Sequence, residues 1–346
     1  MSVAAQTWSR SNLREFAWTT DRILAAEIEH TFSHSPALMI FANQRLGEFG
    51  GTALAGRGRR PGTTGHAVVK RVTLNAHAGA ARMAGAYGEH NVAPDSNTRL
   101  AEGTWNFYSH GLALAQHELD INSGDVAVAN FLESQVRSVL RALADLFADD
   151  IYSTSSPATA ITSLDSLVSA GDAVHGLDGS DYAKYNARGV SAVGTAAGSV
   201  SFASGSFAAQ GLSDMRTCWS NASEGMIQPD AILTDVPTVD RYEGVLQPQE
   251  RFAGAVAVAD GSFRALAFKG TPVIGDRKCT AGYMYMLSLG GDEGVALHTV
   301  PNADFTFDEW KSSSTQRVMV RPLFLTAEMM IGNRQYGCNK LTGITD

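Results

Sequence analysis

Two glycine-rich runs come close to phosphate-binding loops. Gly51-Thr52-Ala53-Leu54-Ala55-Gly56-Arg57-Gly58 has almost the right spacing to cradle a nucleotide. However, Arg57 stands where the phosphate-contacting lysine is needed, and Gly58 where the magnesium-binding hydroxyl is needed. Gly56-Arg57-Gly58-Arg59-Arg60-Pro61-Gly62 is one residue off a dinucleotide fingerprint, follows no suitable strand and contains Pro61, a loop signal. In the segment Gly189 to Gly194 the second glycine comes one residue too late for Ser191 to form a nucleophile elbow. His110 and His117 are seven residues apart, and His117-Glu118-Leu119-Asp120 offers ligating side chains. Along a strand those neighbours alternate faces, so they cannot converge on one ion. Cys279 follows Asp276-Arg277-Lys278, and nearby cations can activate a thiol. A charged turn ahead of a strand accounts for the same residues. No Ser/His/Asp set and no carboxylate pair announces itself, so no enzyme, cofactor or metal is expected. A soluble hydrolase using these serines or histidines is the rival reading of another class.

Size and composition agree with a folded, non-catalytic chain. Its 346 residues can bury a sizeable core, in two domains or one large one. A hydrophobic share of 44% and a charged share of 18% describe a globular protein. No apolar run is long enough to span a membrane, and the N-terminus has no secretory pattern. Cys218, Cys279 and Cys338 are far apart and odd in number, which suits free thiols in a reducing compartment. The net charge of −8 argues against wholesale coating of nucleic acid. Arg57, Arg59, Arg60, Lys70, Arg71 and Arg82 make the first third mildly basic and leave the rest acidic. Two oppositely biased surfaces suit self-association; a solvated basic loop explains the same pattern.

The elements that would position these residues centre on a long helix over 122–150. Asn122 or Ser123 can cap it, and Val128, Leu132, Val136, Val139, Leu143 and Phe147 form one apolar stripe. Glu133 precedes Arg137 by four residues, the favourable order for a helical ion pair. Such a helix is about 40 Å long and needs a partner of equal length. The run from Arg317 to Ile331 supplies it. Met319, Leu323, Leu325, Ala327, Met329 and Ile331 share one parity, interrupted by Arg321, and the strand reaches roughly 50 Å. Pro322 points to an edge position or a bulge.

Upstream, 11–30 reads as a weak helix, and 66–75 and 103–121 as two strands around a polar tip of nearly thirty residues. Trp105 and Phe107 have one parity and Leu112 and Leu114 the other, which predicts a bulge at Gly111. A protruding hairpin of that kind usually has a job outside its own domain. Short helices and strands between 153 and 290, among them 207–224, 231–233, 238–246, the turn Lys269-Gly270 and 283–287, imply a compact inserted lobe.

The order of several segments resembles one family, the major capsid proteins of tailed bacteriophages. They are Pro229-Asp230-Ala231-Ile232-Leu233, then Tyr242 to Phe252 (YEGVLQPQERF), Leu266 to Asp276 (LAFKGTPVIGD), and Gly282 to Leu287 (GYMYML). Asn333-Arg334-Gln335-Tyr336-Gly337 running into Leu341-Thr342-Gly343-Ile344, and Asn122 to Gly124 ahead of the long helix, fit as well. The resemblance covers roughly two thirds of the chain in order. It implies an α+β, Hong Kong phage-type capsid fold with an N-terminal arm (1–61) and an extended β-hairpin loop (62–111). A peripheral domain (112–152 and 291–346) would hold the spine helix (122–150) and long strands, and an axial domain (153–290) would be inserted.

It further implies a major capsid subunit that forms pentamers and hexamers of an icosahedral shell around double-stranded DNA, in the virion, after synthesis in the host cytoplasm. Expected partners are sister copies, a portal, scaffold or decoration proteins, and packaged DNA; no membrane is expected. Some relatives cleave off a long N-terminal scaffolding segment, and here no cleavage is expected. Some cross-link loop lysines to asparagines, for which Lys70 with Asn333 or Asn339 would be the partners. The nearest rival is an encapsulin-like compartment shell packing a cargo enzyme. Candidate inter-subunit contacts are Arg57, Arg59, Arg60, Lys70, Arg71, Trp105, Phe107 and Tyr108. The three aromatics would equally form a local core under the hairpin. Reversing the charges of Arg57, Arg59 and Arg60 is expected to block assembly, read as loss of shells by microscopy, without unfolding the subunit.

Overall fold

The computed structural model describes residues 35–42, 57–73, 98–115, 125–155, 157–169, 173–178, 199–201, 211–250, 266–290, 293–312 and 317–344. The weak helix of 11–30, the hairpin tip, the caps Asn122 and Ser123, His117 to Asp120, Arg82 and the 189–194 segment lie outside these residues. The first elements are α1 (Pro36–Phe41), β1 (Arg59–Pro61), β2 (Ala67–Thr73), β3 (Thr98–Thr104) and β4 (Asn106–Ala115). The long helix α2 (Asp125–Tyr152) and the short α3 (Leu164–Leu167) follow, then β5 (Ala173–Val174), β6 (Leu177–Asp178), β7 (Ser199–Ser201), α4 (Leu212–Ala222), β8 (Ala231–Thr234) and α5 (Val236–Glu250). The chain continues through β9 (Leu266–Phe268), β10 (Thr271–Gly275), β11 (Met284–Leu287), β12 (Val295–Phe307), β13 (Lys311–Ser312), β14 (Val318–Ile331) and β15 (Asn339–Thr342).

Helix α2 forms where its periodicity demands. No Gly or Pro falls between Asp125 and Tyr152, and Leu132, Val136, Val139, Leu143 and Phe147 are all buried. Arg137 reaches Glu133 at 2.6 Å on the solvent side. At its end, Thr280 Oγ1 donates to the Tyr152 carbonyl at 3.0 Å, satisfying one of the acceptors a helix leaves open. The strand nearest to α2 is β4, not β14 as the matching lengths suggested. β14 lies one strand further and shares the same core, burying Leu323, Leu325, Ala327, Met329 and Ile331 completely.

β4 and β14 pair antiparallel without interruption from Ala115 opposite Val318 to Asn106 opposite Ala327. The bulge predicted at Gly111 is therefore absent. Tyr108, Leu112 and Leu114 point inward on one parity, and Phe107 belongs to the other face, where it is exposed. The real break is at Trp105, between β3 and β4, where the chain leaves its hairpin with β2 and joins β14. Pro322 is not on an edge either. The Pro322 carbonyl accepts from Asp308 N, so the proline's missing donor faces the junction of β12 and β13 rather than the β4 ladder. Arg321, which interrupts the apolar parity, is buried with its Nε donating to the Asp308 carbonyl at 2.8 Å and its guanidinium over Phe307.

A second sheet runs β7-β15-β11-β8-β10-β9. β8 and β11 are buried on both faces. Ala231, Leu233, Tyr285 and Leu287 enter the core of α2, whereas Ile232, Met284 and Met286 enter a second core with Met215, Trp219 and Tyr242. One carboxylate joins three parts of this assembly. Asp276 is buried and accepts from Ser35 Oγ (2.7 Å), Ala37 N (3.2 Å), Tyr152 Oη (3.2 Å) and Lys278 N (3.0 Å). It thereby holds the start of α1, the end of α2 and the turn after β10. Replacing it leaves four donors short of an acceptor, so Asp276→Ala is expected to cost about 3 kcal/mol. The urea-unfolding midpoint would report it.

Candidate assembly surfaces

The hairpin β2–β3 forms the base of an arm, and its two faces differ. Val68, Val72 and Ala101 pack inward with Leu177, Met330 and the half-buried Trp105. Trp105 Nε1 donates to the Gly65 carbonyl at 2.9 Å, tying the two strands where the arm leaves the body. Glu102 N donates to the His175 carbonyl. Gly103 lies so close to Met330 and Glu328 that a Cβ there would meet the Met330 sulfur at 2.7 Å. The other face carries Val69 (52% exposed), Leu100 (53%), Arg71 and Glu102, with Arg71 directly opposite Leu100 and Val69 opposite Glu102.

The β4–β14 sheet also has two faces, and α2 covers one. On the other, the arm base covers β14 around Glu328 and Met330 only. Further along, Phe107 (76% exposed), Ser109, Gly111 and Ala113 on β4 and Phe324 (37%) on β14 stand in solvent. Phe107 is opposite Thr326 and Ser109 opposite Phe324, so the two rings are diagonal neighbours on that face. Two aromatics on a smooth floor of Gly, Ala and Ser make a surface that gains by being covered; each ring is worth about 2 kcal/mol when fully buried.

The structure separates the sequence's candidate contacts. Arg57 NH2 meets Asp230 Oδ1 of its own chain at 3.0 Å, and Arg59 is buried against Asp304. Burial lowers the Arg59 pKa to about 10, so it stays charged at neutral pH. Arg60 and Arg71 are exposed and Lys70 is half-buried. Of the aromatics, Phe107 faces solvent, Trp105 closes the arm base, and Tyr108 is buried. Tyr108 Oη donates to Asp150 at 2.7 Å, accepts from Ile161 N at 2.9 Å, and the ring packs edge-on to Phe147. Its hydroxyl is pushed far above the usual tyrosine range, first by burial and then by Asp150.

Among the described residues, the cysteine weighed for chemistry is built into the core. Cys279 is buried and its thiol is pushed up by burial and then by Asp235 and Asp276, the opposite of activation. Cys338 is pushed up to about 12 for the same leading reason. Among the described residues, no group of three His, Cys, Asp or Glu side chains could hold a metal ion, and His110 is simply exposed on β4. Asn339 is buried with its Nδ2 donating to the Cys218 carbonyl, and Asn333 Oδ1 accepts from Gln335 N and Tyr336 N.

Sequence reasoning passed over Glu328 altogether. It is buried and accepts from Asn106 Nδ2 (2.6 Å), Thr162 Oγ1 (2.6 Å) and His175 Nε2 (3.2 Å). The signal was present: a lone carboxylate in the apolar run Thr326 to Ile331, on the parity opposite to the core residues. Arg334 was missed in the same way. It is fully buried and donates to the carbonyls of Leu167 (2.9 Å), Ser166 (3.2 Å) and Ser169 at the end of α3.

No protein-family model and no curated protein matches the sequence. Solved structures do match in fold. The capsid of cyanophage A-1(L) is 14% identical, with a TM-score of 0.58 over 90% of this chain and 93% of that one. Mycobacterium phage Bobi is 12% identical, with a TM-score of 0.52 over 87% and 94%. A virus-like particle from Pyrococcus furiosus is 8% identical, with a TM-score of 0.53 over 94% and 99%. At such identities the fold is what is shared: this chain has the mixed α+β fold of capsid subunits, as the resemblance of its segments implied.

Because the Arg59 charge is spent inside its own subunit, Arg59→Glu places a carboxylate against Asp304 and is expected to cost about 3–5 kcal/mol of subunit stability. Arg71→Glu on the exposed face is expected to change it by under about 0.5 kcal/mol. Urea unfolding of the two variants separates these outcomes, and it limits the earlier charge-reversal expectation to Arg57 and Arg60.

Proposed function

We propose that this chain is the major capsid protein of a tailed bacteriophage, assembling into pentamers and hexamers of an icosahedral shell around double-stranded DNA. The observation that carries this reading is the capsid fold extending over nearly the whole of the chain. An arm base that exposes Val69 and Leu100 and a sheet with one uncovered aromatic face support it physically, since both gain by being covered. Contacts of that obligate kind are large and apolar at their centre.

In this reading α2 is the spine helix, β2–β3 the base of the extended loop, and the second sheet with α4 and α5 the core of the axial domain. The domain limits proposed from sequence are kept: arm 1–61, loop 62–111, peripheral domain 112–152 with 291–346, and axial domain 153–290. Phe107, Arg60, Lys70 and Arg71 are the proposed contacts with sister copies. Arg57, Arg59, Trp105 and Tyr108 act indirectly, by fixing the surfaces from which those residues reach out. The protein's role is architectural rather than enzymatic, and its place is the virion. Portal and scaffold or decoration proteins, with DNA on the inner surface, complete the proposed set of partners.

A second reading is an encapsulin-like compartment shell packing a cargo enzyme. The fold is shared, over 99% of that chain, with a particle not named as a phage, the virus-like particle from Pyrococcus furiosus, and that keeps this reading in play. Contents discriminate: nuclease-protected double-stranded DNA belongs to the phage reading and a co-purifying protein cargo to the compartment.

Negative-stain microscopy of the expressed protein is expected to show closed shells of uniform size. Phe107→Asp and Val69→Asp are each expected to reduce shell yield at least about tenfold, as loss of an interface anchor does. Their urea midpoints should match wild type. Normal shells from both variants would remove these surfaces from assembly, and wild-type protein that stays monomeric would remove the shell reading itself.

A further inference from the structure

The arm base rests on an unusual patch of the β12–β14 sheet. Glu328 on β14 and His298 on β12 are direct cross-strand partners on the face beneath the arm. His298 is also paired with Arg60 of β1, and its Nδ1 lies 2.9 Å from Thr63 Oγ1 in the segment leading into β2. Glu328 is held by Asn106 at the start of β4, by Thr162 after α2 and by His175 in the β5–β6 turn. Every strand that enters or leaves the arm thus touches this patch or a residue bound to it.

Cations bear on it from three elements. Arg60 from β1, Lys70 from β2 and His175 from the β5–β6 turn act on His298, and each disfavours a positive charge there. Glu328 from β14 is the carboxylate opposite, already committed to three donors, and Glu102 on β3 turns its side chain to solvent. A proton arriving on His298 adds a cation where Arg60 and Lys70 already stand, and Lys70 is carried by the arm base itself.

The geometry points to the arm base being a proton-sensitive joint, seated on the sheet while His298 is neutral and released when His298 is protonated. Burial, then Lys70, Arg60 and His175, lower the His298 pKa to about 4 from the ordinary 6.5. Opening the joint returns the ring to water and restores its ordinary affinity for a proton. The open state therefore binds more protons between those two values, and opening becomes easier as pH falls from about 6.5 toward 4. With these values, opening at pH 5 is favoured over pH 7 by at most about thirtyfold. The consequence for assembly, that acid frees the arm from the angle at which it meets a neighbour, rests on the shell reading; the joint itself does not.

Hydrogen exchange read by mass spectrometry, corrected for the intrinsic pH dependence of amide exchange, tests this on the purified full chain. Amides of 67–73 and 98–104 are expected to lose roughly tenfold or more of their protection between pH 7 and pH 5, with residues 131–152 of α2 unchanged. His298→Gln, which cannot take up the proton, is expected to remove that dependence. Lys70→Met, which removes one opposing cation, is expected to reduce it without abolishing it, and carries the test if the glutamine variant does not fold. Equal wild-type protection of the arm base at both pH values, or an unchanged dependence in the variants, overturns the proposal. Whether particles form at pH 7 is observed separately and bears only on the shell reading.

Discussion

Everything in this molecule depends on burying one face of the β4–β14 sheet under α2. Five side chains at alternate positions from Leu323 to Ile331 are sealed in that core, together with the inward face of the helix and with Tyr108, Leu112 and Leu114 of β4. A sheet satisfied on one side by one long helix necessarily presents its other side. Here that second side is divided: the arm base and the Glu328 cluster take the part near Met330, and Phe107, Phe324 and the small residues around them are left exposed. The apolar surface left open is thus a by-product of how the core is made.

The same economy governs the joints. Asp276 gathers the start of α1, the end of α2 and the turn after β10 around one carboxylate. Arg334 and Lys340 do the reverse. Lys340 Nζ reaches Asp165 Oδ1 at 2.6 Å, so both cations bind the segment after α2 to the C-terminal residues. β8 and β11 contribute to two cores at once, and the two large sheets are therefore mechanically continuous rather than merely adjacent. Rotating one relative to the other would pull apolar side chains of β8 and β11 out of both cores.

How much of this could be read from sequence follows from period. Helix α2, the long strand β14, the hairpin turn at Lys269-Gly270 and the buried strands β8 and β11 were legible because a single periodicity or turn signal dominates each. The arm was half legible: β2 was read as a strand, but its partner β3 lies largely in the stretch read as tip, and the second strand expected, 103–121, is mostly β4 of the body. What failed was the assumption that large aromatics face inward. It put Phe107 on the same face as Leu112 and Leu114 and so required a bulge at Gly111, whereas the pairing is regular and the ring, already among the candidate contacts, is exposed. An exposed aromatic is the physical mark of an interface, and one sequence cannot distinguish it from a core aromatic without the register of the partner strand. The basic loop was misleading for a related reason: Arg57 and Arg59 look solvated in sequence, but their acidic partners Asp230 and Asp304 lie far along the chain.

The claim at the centre is the proposed one, that the open face of β4 and β14 is a contact with sister copies. A three-dimensional reconstruction of the assembled particle by electron cryomicroscopy tests it most directly. The account predicts density from a neighbouring subunit lying across Phe107 and Phe324. A particle in which that face remains open to solvent, or is covered by the subunit's own arm, would contradict it.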